Sequence, residues 1–185
     1  SHMALRSTQT GFGPVTKGFH WVMAILIVLM FAIGWYMDLL PLGLEKLAWI
    51  SRHKSIGILI LFLAIMRIVW RLSEQTPMPV SRNRWEIAVA KLAHLALYSV
   101  LIVMPLTGWL MSSAANFSVS VFGLFTLPDM VAPDPALFET LRTVHWALSW
   151  GIVGLVGLHV AAALKHHVIN RDVTLRRMLP MVKGK

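Results

Sequence analysis

Apolar residues gather in four long runs along the chain, and most polar residues fall between them. Residues 21–37 hold no charge, and residues 55–70 are interrupted once, by Arg67. Residues 92–111 carry Pro105, and residues 144–164 are uncharged and include Gly151, Gly154 and Gly157. A bilayer core is crossed by roughly 20 predominantly apolar residues, so each run predicts a membrane-spanning helix. None alternates apolar with polar positions as a barrel strand would. Pro105 is compatible with a spanning helix because neighbouring helices can satisfy the freed carbonyl. The glycines of the fourth run let helices approach closely, and Trp35 and Tyr36 suit an interfacial aromatic belt. The predicted fold class is all-α, an integral membrane four-helix bundle. The longest connection, about residues 112–141, contains the apolar stretch 119–127, which predicts a short helix lying on the surface.

Composition supports this reading. Of 185 residues, 57% are hydrophobic and 14% charged, against about 45–50% and about 25% in soluble domains. So few charges cannot cover so much apolar surface in water, which excludes a soluble domain and a disordered chain. With no cysteine, disulfides, thiolate zinc, iron–sulfur clusters and covalently attached haem are excluded. Ser1-His2-Met3 reads as a scar of recombinant expression, so His2 takes no part. The layout expected is that scar and an N-terminal arm over 1–14, the membrane domain over 15–181, and a basic tail over 182–185.

The net charge of +9 is topological in a membrane protein and does not imply nucleic acid. Of the 17 lysines and arginines, only Lys46, Arg52, Lys54 and Arg142 fall on one side, together with Asp38, Glu45, Asp129, Asp134 and Glu139. Positive charge collects in cytoplasmic loops, which predicts both termini in the cytoplasm of a multi-pass inner-membrane protein. The first run is too long for a typical signal-peptide core and lacks its cleavage signature, so no cleaved leader is expected.

Ionisable residues inside a membrane are costly and point to function. With His2 set aside, seven of the eight histidines remain. His145 and His159 are 14 residues apart, on one face of a helix and separated by about 21 Å along its axis. The same step joins His20 to Gly34, His53 to Arg67 and His94 to Gly108. Allowing for helix direction, His20, Arg67, His94 and His159 form an inner layer, and Gly34, His53, Gly108 and His145 an outer one. Facing histidines can hold a metal or the iron of a haem from both sides. The two outer glycines favour a wide, flat group. Arg67 suits a haem propionate, and Arg52, Lys54, Arg71 and Lys165 could serve others at the surfaces. His94 is open between a structural contact and a site role. His166 and His167, just past the fourth run, read as interfacial.

Gly18-Phe19-His20-Trp21, Arg52-His53-Lys54-Ser55-Ile56-Gly57, Ala93-His94-Leu95 and Pro105-Leu106-Thr107-Gly108 make the chain familiar, as do Phe122-Gly123-Leu124 with Leu127-Pro128, Val144-His145-Trp146 and the run from Gly157 to His167. Over about residues 15–181 it resembles the bacterial cytochrome b561 family of four-helix proteins with two b-type haems. The resemblance implies His20 and His159 as axial ligands of an inner haem, and His53 and His145 of an outer haem. Relatives can carry a second histidine one turn before His94, where this chain has Lys91.

The resemblance also implies quinone-linked electron transfer. One branch resembles superoxide oxidases that reduce ubiquinone. On that reading Arg52 and Lys54 steer the anion, and His94, Arg71 and His167 are candidate partners of the quinone head. A protein partner is possible but not required. Similar b-type subunits anchor larger dehydrogenases or hydrogenases, commonly with extended loops that this chain largely lacks. A metal or proton transporter using bare histidines is a reading from another class, although the inverted repeats and broken spans of many transporters are not visible.

Overall fold

A computed structural model describes residues 5–180; the tail over 182–185 and the first four residues of the arm lie outside them. Four helices dominate: α1 Pro14–Leu39, α2 Leu44–Leu72, α3 Arg84–Ala114 and α4 Pro135–Val168. Each is long and apolar enough to cross a membrane. Leu158, Leu92 and Ile25 are each at least two-thirds exposed, which water would penalise and lipid does not.

The helices outreach the apolar runs because charged turns extend them at their ends, with Lys17 in α1, Glu45, Lys46 and Arg52 in α2, and Glu139 and Arg142 in α4. Local chemistry sets several ends. Pro14 and Pro135 occupy first helical positions, where their missing N–H costs nothing. Asn83 caps α3 by accepting from the Trp85 N–H at 2.9 Å, and Asp134 caps α4 by accepting from Leu137 at 3.1 Å. Asn116, at φ 63°, closes α3: its N–H meets the Ser113 carbonyl and the Phe117 N–H meets that of Ser112.

The chain divides into two compact units. One, here the hairpin unit, comprises Met23–Ala64 and Val100–Trp150. Met23, Ile60 and Ala64 are its buried centre, with Leu26, Ile27, Met30 and Leu101 packed around them. Gly57 lets α2 approach α1 here, since an added Cβ would meet Met30 Cε at 3.3 Å. The surface helix expected over 119–127 is absent. Two short antiparallel strands, β1 Ser120–Val121 and β2 Phe125–Thr126, form a hairpin instead. Three residues, Phe122-Gly123-Leu124, join the strands. The Leu124 N–H meets the Val121 carbonyl at 2.9 Å, and the two residues between them, Phe122 and Gly123, have φ of 52° and 70°, both positive as the central positions of a type I′ turn require. Val119 and Val121 are buried, so this stretch has the period of a strand.

The other, here the terminal unit, comprises the chain up to Val22, Ile65–Ser99 and the chain from Gly151. Glu74, just past α2, is its polar hub. It accepts from the Ser7 N–H at 2.9 Å, the Ser7 hydroxyl at 2.8 Å and the Thr16 hydroxyl at 2.7 Å. Arg6 lies over the Trp70 ring at 5.0 Å, and Trp70 Nε1 donates to Thr16. Gly13 is required by the tight packing of this arm, since a Cβ there would meet the Arg6 backbone at 2.5 Å. The C-terminal segment is tied in by Trp21 Nε1 donating to the Met178 carbonyl and by Arg177 donating to that of Met78.

Candidate functional site

In the hairpin unit, two histidines meet two glycines in matching ways. The Cε1 edge of His53 of α2 would lie 3.4 Å from a Cβ on Gly34 of α1, in ordinary contact, and that of His145 of α4 would lie 3.3 Å from a Cβ on Gly108 of α3, slightly tighter. The histidine edges therefore pack closely against these two glycines. His53 Nδ1 is buried without a partner at hydrogen-bonding geometry. His145 Nδ1 lies 2.9 Å from Thr107 Oγ1.

The Thr107 contact fixes a tautomer. The threonine hydroxyl has one proton, and it goes to the Met104 carbonyl at 2.7 Å. Toward His145 the hydroxyl can then only accept, so Nδ1 carries the proton and Nε2 keeps its lone pair. An imidazole held through Nδ1–H with a free Nε2 is ready to ligate a metal. The sequence offered no signal for this role beyond the place of Thr107 beside Gly108.

In the terminal unit, three histidines gather. The His159 ring centroid is 6.1 Å from that of His20 and 6.0 Å from that of His94. Two imidazoles ligating one iron from opposite sides, with N–metal bonds of about 2 Å, set their centroids roughly 6 Å apart, so both pairs have the spacing. Arg67 Nη2 reaches His20 Nδ1 at 3.5 Å. Its guanidinium stands 5.4 Å from the Tyr98 ring, and Arg71 stands 5.6 Å from the same ring while donating to the Tyr98 hydroxyl at 3.3 Å. Tyr98, unremarked in the sequence, thus gathers both arginines.

The remaining basic candidates separate. Arg52 stacks on Trp49 at 4.4 Å and is exposed. Lys54, half-buried, donates to Ser112 Oγ at 2.8 Å. Two residues apart on a helix, they point to different sides and do not form one patch. α4 runs past His166 and His167. His166 Nδ1 is 2.7 Å from Asp172 Oδ2, so it is partnered and not simply solvated; Lys165 shares that last turn. His167 Nδ1 is buried without a hydrogen-bond partner. Burial would raise the Asp172 carboxyl, but bonds from His166 and from the Thr174 backbone hold it below the usual range.

The donor set fits a planar iron cofactor better than a bare ion. Among the described residues no three His, Asp or Glu side chains converge as ligands of one ion. Available instead are neighbouring imidazoles, His159 beside His20 and His94, a His145 with its tautomer set for ligation, and arginines suited to carboxylates.

Comparison with known proteins agrees. The family described as prokaryotic cytochrome b561 matches residues 11–181. "Cytochrome b561 homolog 2" of Escherichia coli (strain K12) is 36% identical over 182 residues, covering 96% of this chain and 95% of that protein. "Probable superoxide oxidase CybB" of Yersinia pestis is 30% identical over 169 residues, 90% of this chain and 94% of that one. "Cytochrome b561 homolog 1" of Escherichia coli (strain K12) is 28% identical over 173 residues, 89% and 94% respectively. With four membrane-spanning helices and a match over nearly its whole length, this chain belongs to the prokaryotic cytochrome b561 family, multi-pass inner-membrane proteins that bind haem b and carry electrons.

Proposed function

We propose that the chain binds two b haems and oxidises superoxide at the periplasmic face while reducing ubiquinone. His20 and His159 hold the inner haem, and His53 and His145 the outer one. The observation that supports this reading is the gathering of imidazoles in the terminal unit, with His159 6.1 Å from His20, beside the seating of His53 and His145 against glycines in the hairpin unit. Haem b, when bound, supplies a one-electron ferric–ferrous couple, and bis-histidine ligation leaves no open position on iron. The overall reaction balances as two superoxide anions, one quinone and two protons giving two dioxygen molecules and one quinol.

The chain's own residues have distinct tasks in this reading. Thr107, with its proton on the Met104 carbonyl, orients His145 for ligation through Nε2. Arg67 and Arg71, gathered on Tyr98, place positive charge beside the inner ligands and toward a propionate or the quinone head. His94 and His167 are the other candidate partners of that head. Lys54, steadied by Ser112, and the more exposed Arg52 attract the anion from the periplasm. The likeness to the protein described as a probable superoxide oxidase supports the donor assignment.

Stopped-flow mixing of the oxidised, haem-loaded protein with superoxide tests it. Fast haem reduction that slows as salt is added supports the reading. If superoxide leaves the haems oxidised while a quinol reduces them, the chain works from the quinol side, as a subunit serving a dehydrogenase or hydrogenase would.

A further inference from the structure

The hairpin of β1 and β2 is fixed to a face of α2 that belongs to the lipid. Ser55 and Phe62 are seven residues apart, within about 20° of one another around the helix. Phe62 is 58% exposed, whereas Ser55 is 2% exposed because the hairpin covers it. Gly57, Ile60 and Ala64, which α2 packs inward, lie about 140–200° around from Ser55. The hairpin therefore sits on the outward stripe that Phe62 continues.

Its depth can be read from the same residues. Ser55 opens the charge-free run of α2 and lies two residues beyond His53, whose ring touches Gly34. Gly34 is itself inside the charge-free run of α1, just before Trp35 and Tyr36. Backbone at such a depth must have its polar groups satisfied. Ser55 does this on both sides of its hydroxyl, donating to the Ser120 carbonyl at 3.2 Å and accepting from the Phe122 N–H at 2.9 Å. The strained positive φ of Phe122 is held by that bond. The large side chains left outward are apolar, Leu124 at 79% exposed, Phe125 at 54% and Phe122 at 52%, with the small polar Ser120 and Thr126 exposed at the strand ends.

From this we infer that the hairpin is a lipid-facing anchor, its tip immersed in the edge of the bilayer on its side of the membrane, with acyl chains as the occupant of the Phe122, Leu124 and Phe125 surface. Continuity with the lipid-facing stripe of α2 favours lipid over a soluble partner, as does the absence of charge from β1, the turn and β2. The inference is independent of the superoxide reading and needs only the membrane fold.

The chain has no cysteine, so a single nitroxide label can be placed cleanly. Leu124→Cys, and separately Phe125→Cys, are labelled in the haem-loaded protein in phosphatidylethanolamine–phosphatidylglycerol vesicles, with Phe62→Cys as the lipid-facing reference. Collisional relaxation by oxygen, which partitions into lipid, is compared with relaxation by a water-soluble nickel chelate. The Leu124 and Phe125 labels should follow Phe62, relaxed several-fold more by oxygen. Adding Ser55→Ala should loosen the hairpin and shift both labels toward the nickel chelate. Stronger relaxation by nickel at both hairpin positions, with Phe62 still oxygen-dominated, would overturn the inference and leave the tip free for a soluble partner. Unchanged label behaviour on Ser55→Ala would overturn the role of Ser55 as the pin.

Discussion

Thr107 Oγ1 accepts a hydrogen bond from His145 Nδ1 at 2.9 Å while donating its own proton to the Met104 carbonyl at 2.7 Å. This contact makes the ligating tautomer of His145 a property of α3, the helix against which α4 packs at Gly108. Loss of such an outer partner costs about 10–100-fold in metal affinity. Thr107→Val should therefore weaken retention of one haem by an amount in that range and raise its potential, because a less basic imidazole stabilises ferric iron less. Haem retention on dilution and an optical redox titration check this. Unchanged retention and unchanged potentials would remove Thr107 from the site.

Arg67 should tune its haem more than hold it. A positive charge near the ring disfavours the ferric form, so Arg67→Leu should lower the inner potential by tens of millivolts, where about 59 mV is tenfold for one electron. The His53–His145 haem should keep its potential. Potentiometry of the variant decides, and two unmoved potentials would refute the placement.

The fourteen-residue step was legible because a helix in a membrane has a fixed rise and few places for a histidine. That step set His20, His94 and His159 at one level and His53 and His145 at another, while the ligand pairs themselves came from the family resemblance. Tyr98 and Thr107 were not legible, since a tyrosine and a threonine near a helix surface are common and only packing gives them partners. The hairpin was misread because Phe122 is a poor residue for a positive φ. Its turn depends on Ser55, 67 positions away, and no local pattern announces that. Arg52 and Lys54 flank His53 in sequence, but helical geometry turns them to different sides.

That divergence can be tested. If superoxide is the donor, Arg52→Gln and Lys54→Gln should each slow haem reduction and reduce its salt dependence. Their effects should combine additively, because groups without shared partners act independently. Second-order rates at low and high ionic strength check this, and strong non-additivity would mean that the two charges form a single site.

Glu74 ties the N-terminal arm to the end of α2. Burial would raise its carboxyl, but the Ser7 backbone bond, the Thr16 and Ser7 hydroxyls and the Arg6 charge together hold it below its ordinary value of 4.5. A carboxylate depressed in the folded state contributes stability above its unfolded value and loses it as pH falls through the folded one. Thermal unfolding of the native chain should therefore shift down as pH drops below about 4.5. Glu74→Gln should be less stable by a few degrees at neutral pH and should lack that acid-dependent component. Parallel unfolding curves for the two proteins across this window would contradict the assignment.

The central claim is that four histidines hold two haems, one at each level of the chain. The pyridine haemochrome ratio of haem to polypeptide tests it most directly, measured on the native protein and on His20→Ala, His94→Ala and His145→Ala. Two haems per chain are expected in the native protein and in His94→Ala. His20→Ala and His145→Ala should each lose one haem or convert one to high-spin. A native ratio near one, or loss of a haem in His94→Ala with none in His20→Ala, would contradict it.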